Sequence, residues 1–204
     1  MCAPSAEHEM STVFFNLIRV IGPRAKVFRF RTDARRRLSA LQRSTSGVGS
    51  VDFSFEKLFR KHPTIASRAE VPEDAGHYLA TSTGTETWHR FTRAAYELEV
   101  KNSQIHELLK LLSRHYPELC FVNSEICLDD GSVLSAFVRK GSCKIWDLPA
   151  SRQNTHWRRG ADDRGINLEQ AYDDDEVRAD VERGLLVDAL DHWDNRVLRA
   201  LRSG

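Results

Sequence analysis

The sequence predicts an α+β domain: a ferredoxin-like split β-α-β sandwich, with an antiparallel sheet, two helices on one face and an additional C-terminal helix. Three observations predict it. Strand-like and helix-like patterns follow one another as strand, helix, strand, a loop-rich insertion, a strand pair, helix, strand, strand. The opening stretch from Val13 to Leu41 joins a strand to an amphipathic helix through Gly22-Pro23. Asp129-Asp130-Gly131 then joins the last two strands as a hairpin-type turn.

Taken in order, residues 1–12 read as a flexible N-terminus, polar through Glu9, with nothing resembling a secretory leader. Val13 to Ile21 crowds apolar and β-branched residues into the length of one buried strand. From Arg24 onward, Val27, Phe30, Ala34, Leu38 and Leu41 recur at steps of three and four, which keeps them on one helix face. Val51 to Phe55 alternates like a half-buried strand, and 56–84 reads as a loop-rich insertion because Pro63, Pro72, Gly76 and Gly84 interrupt it. Thr85–Phe91 and Ala95–Val100 read as adjacent strands linked near Thr92 and Arg93. A second helix carries Ile105, Leu108, Leu109, Leu112 and Tyr116 on one face, with Asn102 or Ser103 as its N-cap and Pro117 at its end. Leu119–Leu128 and Ser132–Val138 complete the domain of 13–140.

Several of these residues resemble the landmarks of the YubB-like ferredoxin-like domains found on plasmids, in phages and in bacterial genomes. They are Asn16, Val20, Gly22-Pro23, Val27 and Phe30, then Phe53-Ser-Phe55, the Trp88 region, Tyr96-Glu-Leu-Glu and His115-Tyr-Pro-Glu-Leu119. The resemblance spans about residues 13–140 and implies a fold without an established activity. The family's Trp-Gly segment is only echoed by Glu86-Thr-Trp88, and Lys101-Asn-Ser103 replaces its proline-rich turn.

Beyond that domain, 141–172 reads as a polar linker and 173–202 as an acidic C-terminal helix. Asp173–Glu176 places negative charge at the helix start, and Arg196, Arg199 and Arg202 place positive charge at its end. Leu186, Leu190, Trp193, Val197 and Leu201 share one face and are the candidate partner-binding residues, toward a protein partner, a second copy or the chain's own domain. Val177, Val181 and Leu185 point elsewhere, so the helix either turns at Gly184 or is buried on two sides.

Charge bounds the function classes. The net charge of +1 hides −6 over residues 161–204, which hold twelve acids and six arginines. Residues 24–43 are strongly basic, and Arg24, Arg29, Arg31, Arg35, Arg36 and Arg43 are the candidate nucleic-acid-binding residues. Their charges wrap the whole solvated side of the helix, and a dock for the acidic C-terminal segment is a competing use of them. Arg19 interrupts the longest apolar run, so no membrane span is expected, and a cytoplasmic location is.

Catalytic, metal and cofactor motifs are not found. His62, His77 and His89 lie in or beside the insertion without ligand spacing, and Cys2, Cys120, Cys127 and Cys143 form no C-x-x-C pair. Ser46-Gly-Val-Gly-Ser50 lacks a phosphate loop's lysine, and Asp129-Asp130 is accounted for by a turn. The sequence therefore reads as a non-enzymatic binding module, with nucleic-acid binding through the basic helix as the alternative.

Overall fold

The structure, a computed structural model, describes residues 12–34, 51–53, 57–58, 61, 80–101 and 105–203. One antiparallel sheet contains β1 (Val13–Gly22), β2 (Val51–Phe53), β3 (Ala80–Trp88), β4 (Phe91–Lys101), β5 (Cys120–Cys127), β6 (Val133–Arg139) and β7 (Ser142–Asp147). Their spatial order is β2-β3-β4-β1-β5-β6-β7. The expected α+β class with an antiparallel sheet is therefore present. The order differs from that of a four-stranded ferredoxin-like sheet, because β2 extends one edge and β6 with β7 extends the other. The second extension follows from local chemistry. Asp130 Oδ1 accepts the Ser132 N–H at 2.8 Å beside Gly131, and Lys140-Gly141 takes positive φ at both residues, which closes a further tight hairpin.

Strand alternation sends successive side chains to opposite faces. On β1, Asn16, Ile18 and Val20 face one way, while Leu17, Arg19 and Ile21 face the other. The first face is covered by α1 (Arg24–Ala34) and α2 (His106–His115). Val27, Phe30 and Ala34 from α1 and Leu109 and Leu112 from α2 are buried there against Ile18, Val20, Tyr96 and Phe121. Leu58, in the little that is described of 56–79, is fully buried in the same core.

The second face is covered by α3 (Ala150–Arg164), α4 (Leu168–Asp173), α5 (Asp175–Asp191) and α6 (Asp194–Arg202). This corrects the reading of 141–172 as a polar linker: it holds β7, α3 and α4. Its polarity misleads because β7 is an edge strand and Ala161 is the only fully buried residue of α3, so both elements show water mostly polar side chains. The single helix expected over 173–202 is two helices, broken at His192-Trp193. Asp174 caps the first of them, its side chain accepting from the Glu176 and Val177 N–H groups at 2.9 and 3.0 Å.

α5 runs straight through Gly184 and is buried on two sides, with Val177, Val181 and Leu185 in the core alongside Leu186 and Leu190. Close helix packing explains this, since a Cβ on Gly160 of α3 would stand 2.7 Å from Val181. A methyl group there would force α3 and α5 apart. Polar anchors add direction: Trp193 Nε1 donates to Ser135 Oγ at 2.8 Å, and Arg183 reaches Glu97 of β4 at 2.8 Å.

Three boundaries also move, the first being the start of β3, which lies at Ala80 within the expected insertion 56–84 rather than at Thr85. The β3–β4 turn is His89-Arg90 rather than Thr92-Arg93, with His89 at positive φ, because Thr92, Ala94, Tyr96, Leu98 and Val100 already form the buried row of β4. α2 begins with Ile105 at its N-cap and no side-chain cap; Asn102 and Ser103 lie outside the described residues.

Candidate functional site: an arginine groove at the end of the sheet

The structure separates the predicted basic residues. Arg24 lies over the Phe28 ring at 5.5 Å, Arg29 is 3.9 Å from Asp33, and Arg31 donates to Thr85 Oγ1 at 3.4 Å. Arg35, Arg36 and Arg43 lie outside the described residues. Among the described residues the acidic segment does not dock on this helix, since α1 covers the first face of the sheet and α5 the second. Its acids instead pair with Arg19, Arg152 and Arg164.

The predicted partner-binding stripe is already occupied. Leu186, Leu190, Trp193, Val197 and Leu201 are all buried against the chain's own sheet. Their hydrophobicity completes the domain, so of the three uses expected for this face it is the chain's own domain that takes it.

Positive charge gathers elsewhere. Phe137 and Arg139 of β6, with Arg196, Arg199 and Arg202 of α6, line an open groove of about 720 Å³. The three α6 arginines recur every three residues and so fall along one side of the helix. Lys144 stands opposite Phe137 on β7 and faces the same side of the sheet. Packing holds the groove in shape: the Arg139 guanidinium donates to the Ala200 carbonyl, and Arg196 lies 5.4 Å from the Phe137 ring centre and 5.7 Å from that of Trp193.

The basic surface continues around the end of the sheet. Lys140 follows Arg139 into the turn, and a Cβ on Gly141 would stand 2.5 Å from Arg114 Nε of α2, so Arg114 lies directly against that turn. Gly141 is thus needed twice, for its φ of 77° and for the room it leaves. Among the described residues, no carboxylate lies within 4.0 Å of Arg114, Arg139, Lys140, Lys144, Arg196, Arg199 or Arg202. Seven cations without counter-charges make a positive field suited to a polyanion.

A second polar feature lies inside. Asn16, Asn123 and Glu125 are fully buried on the first face, with Asn123 Nδ2 donating to Asn16 Oδ1 at 3.1 Å and to Glu125 Oε2 at 3.4 Å. Among the described residues, Glu125 Oε1 and Asn123 Oδ1 have no hydrogen-bond partner. Burial pushes the Glu125 carboxyl up to about 7, against the smaller opposing pull of the Asn123 amide.

The remaining candidates stay apart. His89 is an exposed turn residue in edge contact with Trp88, and His62 and His77 lie outside the described residues. Cys120 is buried and its thiol is pushed up to about 11, which makes it a poor nucleophile. Among the described residues no group of three His, Cys, Asp or Glu is placed to hold a metal ion, and no helix is long and apolar enough to cross a membrane.

Sequence reasoning noticed Arg196, Arg199 and Arg202 only as a helix end, and it missed Arg139, Lys144 and Glu125. The repeat of three arginines was visible, whereas its closure by Arg139 required the tertiary fold. For Glu125 a signal existed: it shares strand parity with Phe121, so it had to face a core.

Fold and groove together define a class: an α+β domain with its sheet covered on both faces and an arginine-lined surface at one end. Comparison with known proteins adds no relative, since no family model, curated protein or solved structure matches the chain.

Proposed function

We propose that the chain is a non-enzymatic binding module whose ligand is the phosphate backbone of a nucleic acid, held in the groove between β6 and α6. The supporting observation is the concentration of Arg139, Arg196, Arg199 and Arg202 in one groove with no carboxylate within ion-pair distance among the described residues. Arginine suits this task because its planar fork can meet two phosphate oxygens at once. The reading moves nucleic-acid binding from α1 to α6 and leaves no role for a homodimer through Leu190 and Trp193.

The finer fold reading belongs to the same proposal. Within the sheet, the run β3-β4-β1-β5, with α1 and α2 on one face, supports a ferredoxin-like unit at the centre, and with it the resemblance to YubB-like domains. A cytoplasmic site of action goes with it.

The test is binding of a short labelled oligonucleotide, followed by anisotropy at rising salt. The intact chain is expected to bind with an affinity that falls steeply with salt. Arg199→Glu with Arg202→Glu should weaken binding at least about tenfold and flatten the log–log salt slope by about 1 to 2. Unchanged affinity in the double variant would sink the proposal.

A further inference from the structure

Resting on that reading, we infer that the nucleic acid is a duplex, DNA or RNA, gripped by its two phosphate rows. The first argument comes from the rings in the groove. Sites for single strands stack bases on available aromatic faces. Here Phe137 and Trp193 are 8% and 5% exposed and stacked on each other with centres 5.9 Å apart. Arg196 lies across both. A base would have to displace a guanidinium to reach either ring. Phe28 and Tyr172, which are exposed, sit on α1 and α4, outside the basic surface.

The second argument comes from where the cations stand. Arg114 belongs to the helix layer on the first face, Arg196, Arg199 and Arg202 to the layer on the second, and the turn carrying Arg139 and Lys140 lies between them. The turn is therefore a ridge with charge on both slopes, the arginine groove lying along the second. A ridge of this kind meets phosphates on both sides of a duplex groove, whereas a single strand offers one row and leaves one slope unused.

The test compares a single strand with DNA and RNA duplexes of the same length, using the full chain at matched salt. The tighter duplex is expected to bind at least about tenfold better than the single strand. Arg114→Glu should weaken duplex binding severalfold and leave single-strand binding unchanged. Equal or tighter single-strand binding, or duplex binding indifferent to Arg114→Glu, would overturn the inference while leaving the proposed function standing. Absence of binding to every probe at low salt would instead overturn the proposed function.

Discussion

Two charges are buried on adjacent strands at the middle of the sheet, and the two faces treat them differently. Arg19 of β1 points to the second face, where its side chain is 10% exposed and meets Asp191 at 2.5 Å and Asp194 at 3.8 Å. Glu125 of β5 points to the first face, is 1% exposed, and among the described residues meets only the Asn123 amide at 3.4 Å. Burying an ion costs several kcal/mol unless an opposite charge or good hydrogen bonds offset it. The C-terminal helices bring that opposite charge to Arg19. Among the described residues the first face brings none to Glu125, so protonation is the cheapest way to keep it buried.

If the second face is as much a core as the first, Leu190→Ala and Leu109→Ala should each destabilise the fold by about 2 to 5 kcal/mol in denaturant melts. Both side chains are essentially inaccessible to water. A near-zero effect of Leu190→Ala would break the comparison by making the C-terminal layer an accessory.

Glu125 provides the next largest effect. Its ordinary value is 4.5 and its folded value about 7. Below about pH 4.5 both folded and unfolded chains hold the proton, so the group is neutral in its influence. As pH rises toward 7 the unfolded chain releases the proton and the folded chain keeps it. Stability then falls by about 1.4 kcal/mol per pH unit, about 3 kcal/mol in all, and the loss stays constant above pH 7. Glu125→Gln should remove this slope and leave the protein more stable than the parent at pH 8. Melts of both proteins across pH 4 to 8 check it, and parallel curves would refute the assignment.

Asp191→Asn should cost about 1 kcal/mol, well below the full penalty of stranding a buried ion. Asp191 is half-exposed and Asp194 remains to face Arg19. Smallest of all, Arg202→Ala should shift stability by less than about 0.5 kcal/mol in the same melts, because that side chain is exposed and has no carboxylate partner among the described residues.

The half of the fold that repeats a single period was legible from residues alone. Val13–Gly22 and the helix after Pro23, as far as Ala34, appear where apolar spacing predicts them, as does the hairpin at Asp130-Gly131, while Leu38 and Leu41 lie outside the described residues. Elements that bury few residues were not. α3 is polar along most of its length because it packs chiefly through Ala161 and the gap left by Gly160, and no hydrophobic stripe advertises it. β7 hides for the same reason, being an edge strand of mixed polarity. The groove depended on bringing Arg139 to Ala200, 61 residues away, and no local pattern encodes that. The stripe from Leu186 to Leu201 was recognised as a face needing cover, but its cover was the back of a sheet whose middle strand begins at Val13.

The pairing of Arg19 with Asp191 also sets a timetable. The two residues are 172 positions apart, and β1 sits between β4 and β5, so it is flanked by strands made much later than itself. Such long loops make folding slow, because their closure entropy is lost before the contacts repay it. On the ribosome β1 must wait, its Leu17 and Ile21 bare on the side that α5 and α6 will cover, until nearly the whole chain has emerged. Chains truncated before Asp175 would keep that apolar side exposed, which makes the last thirty residues a guard against aggregation as well as a layer of the fold.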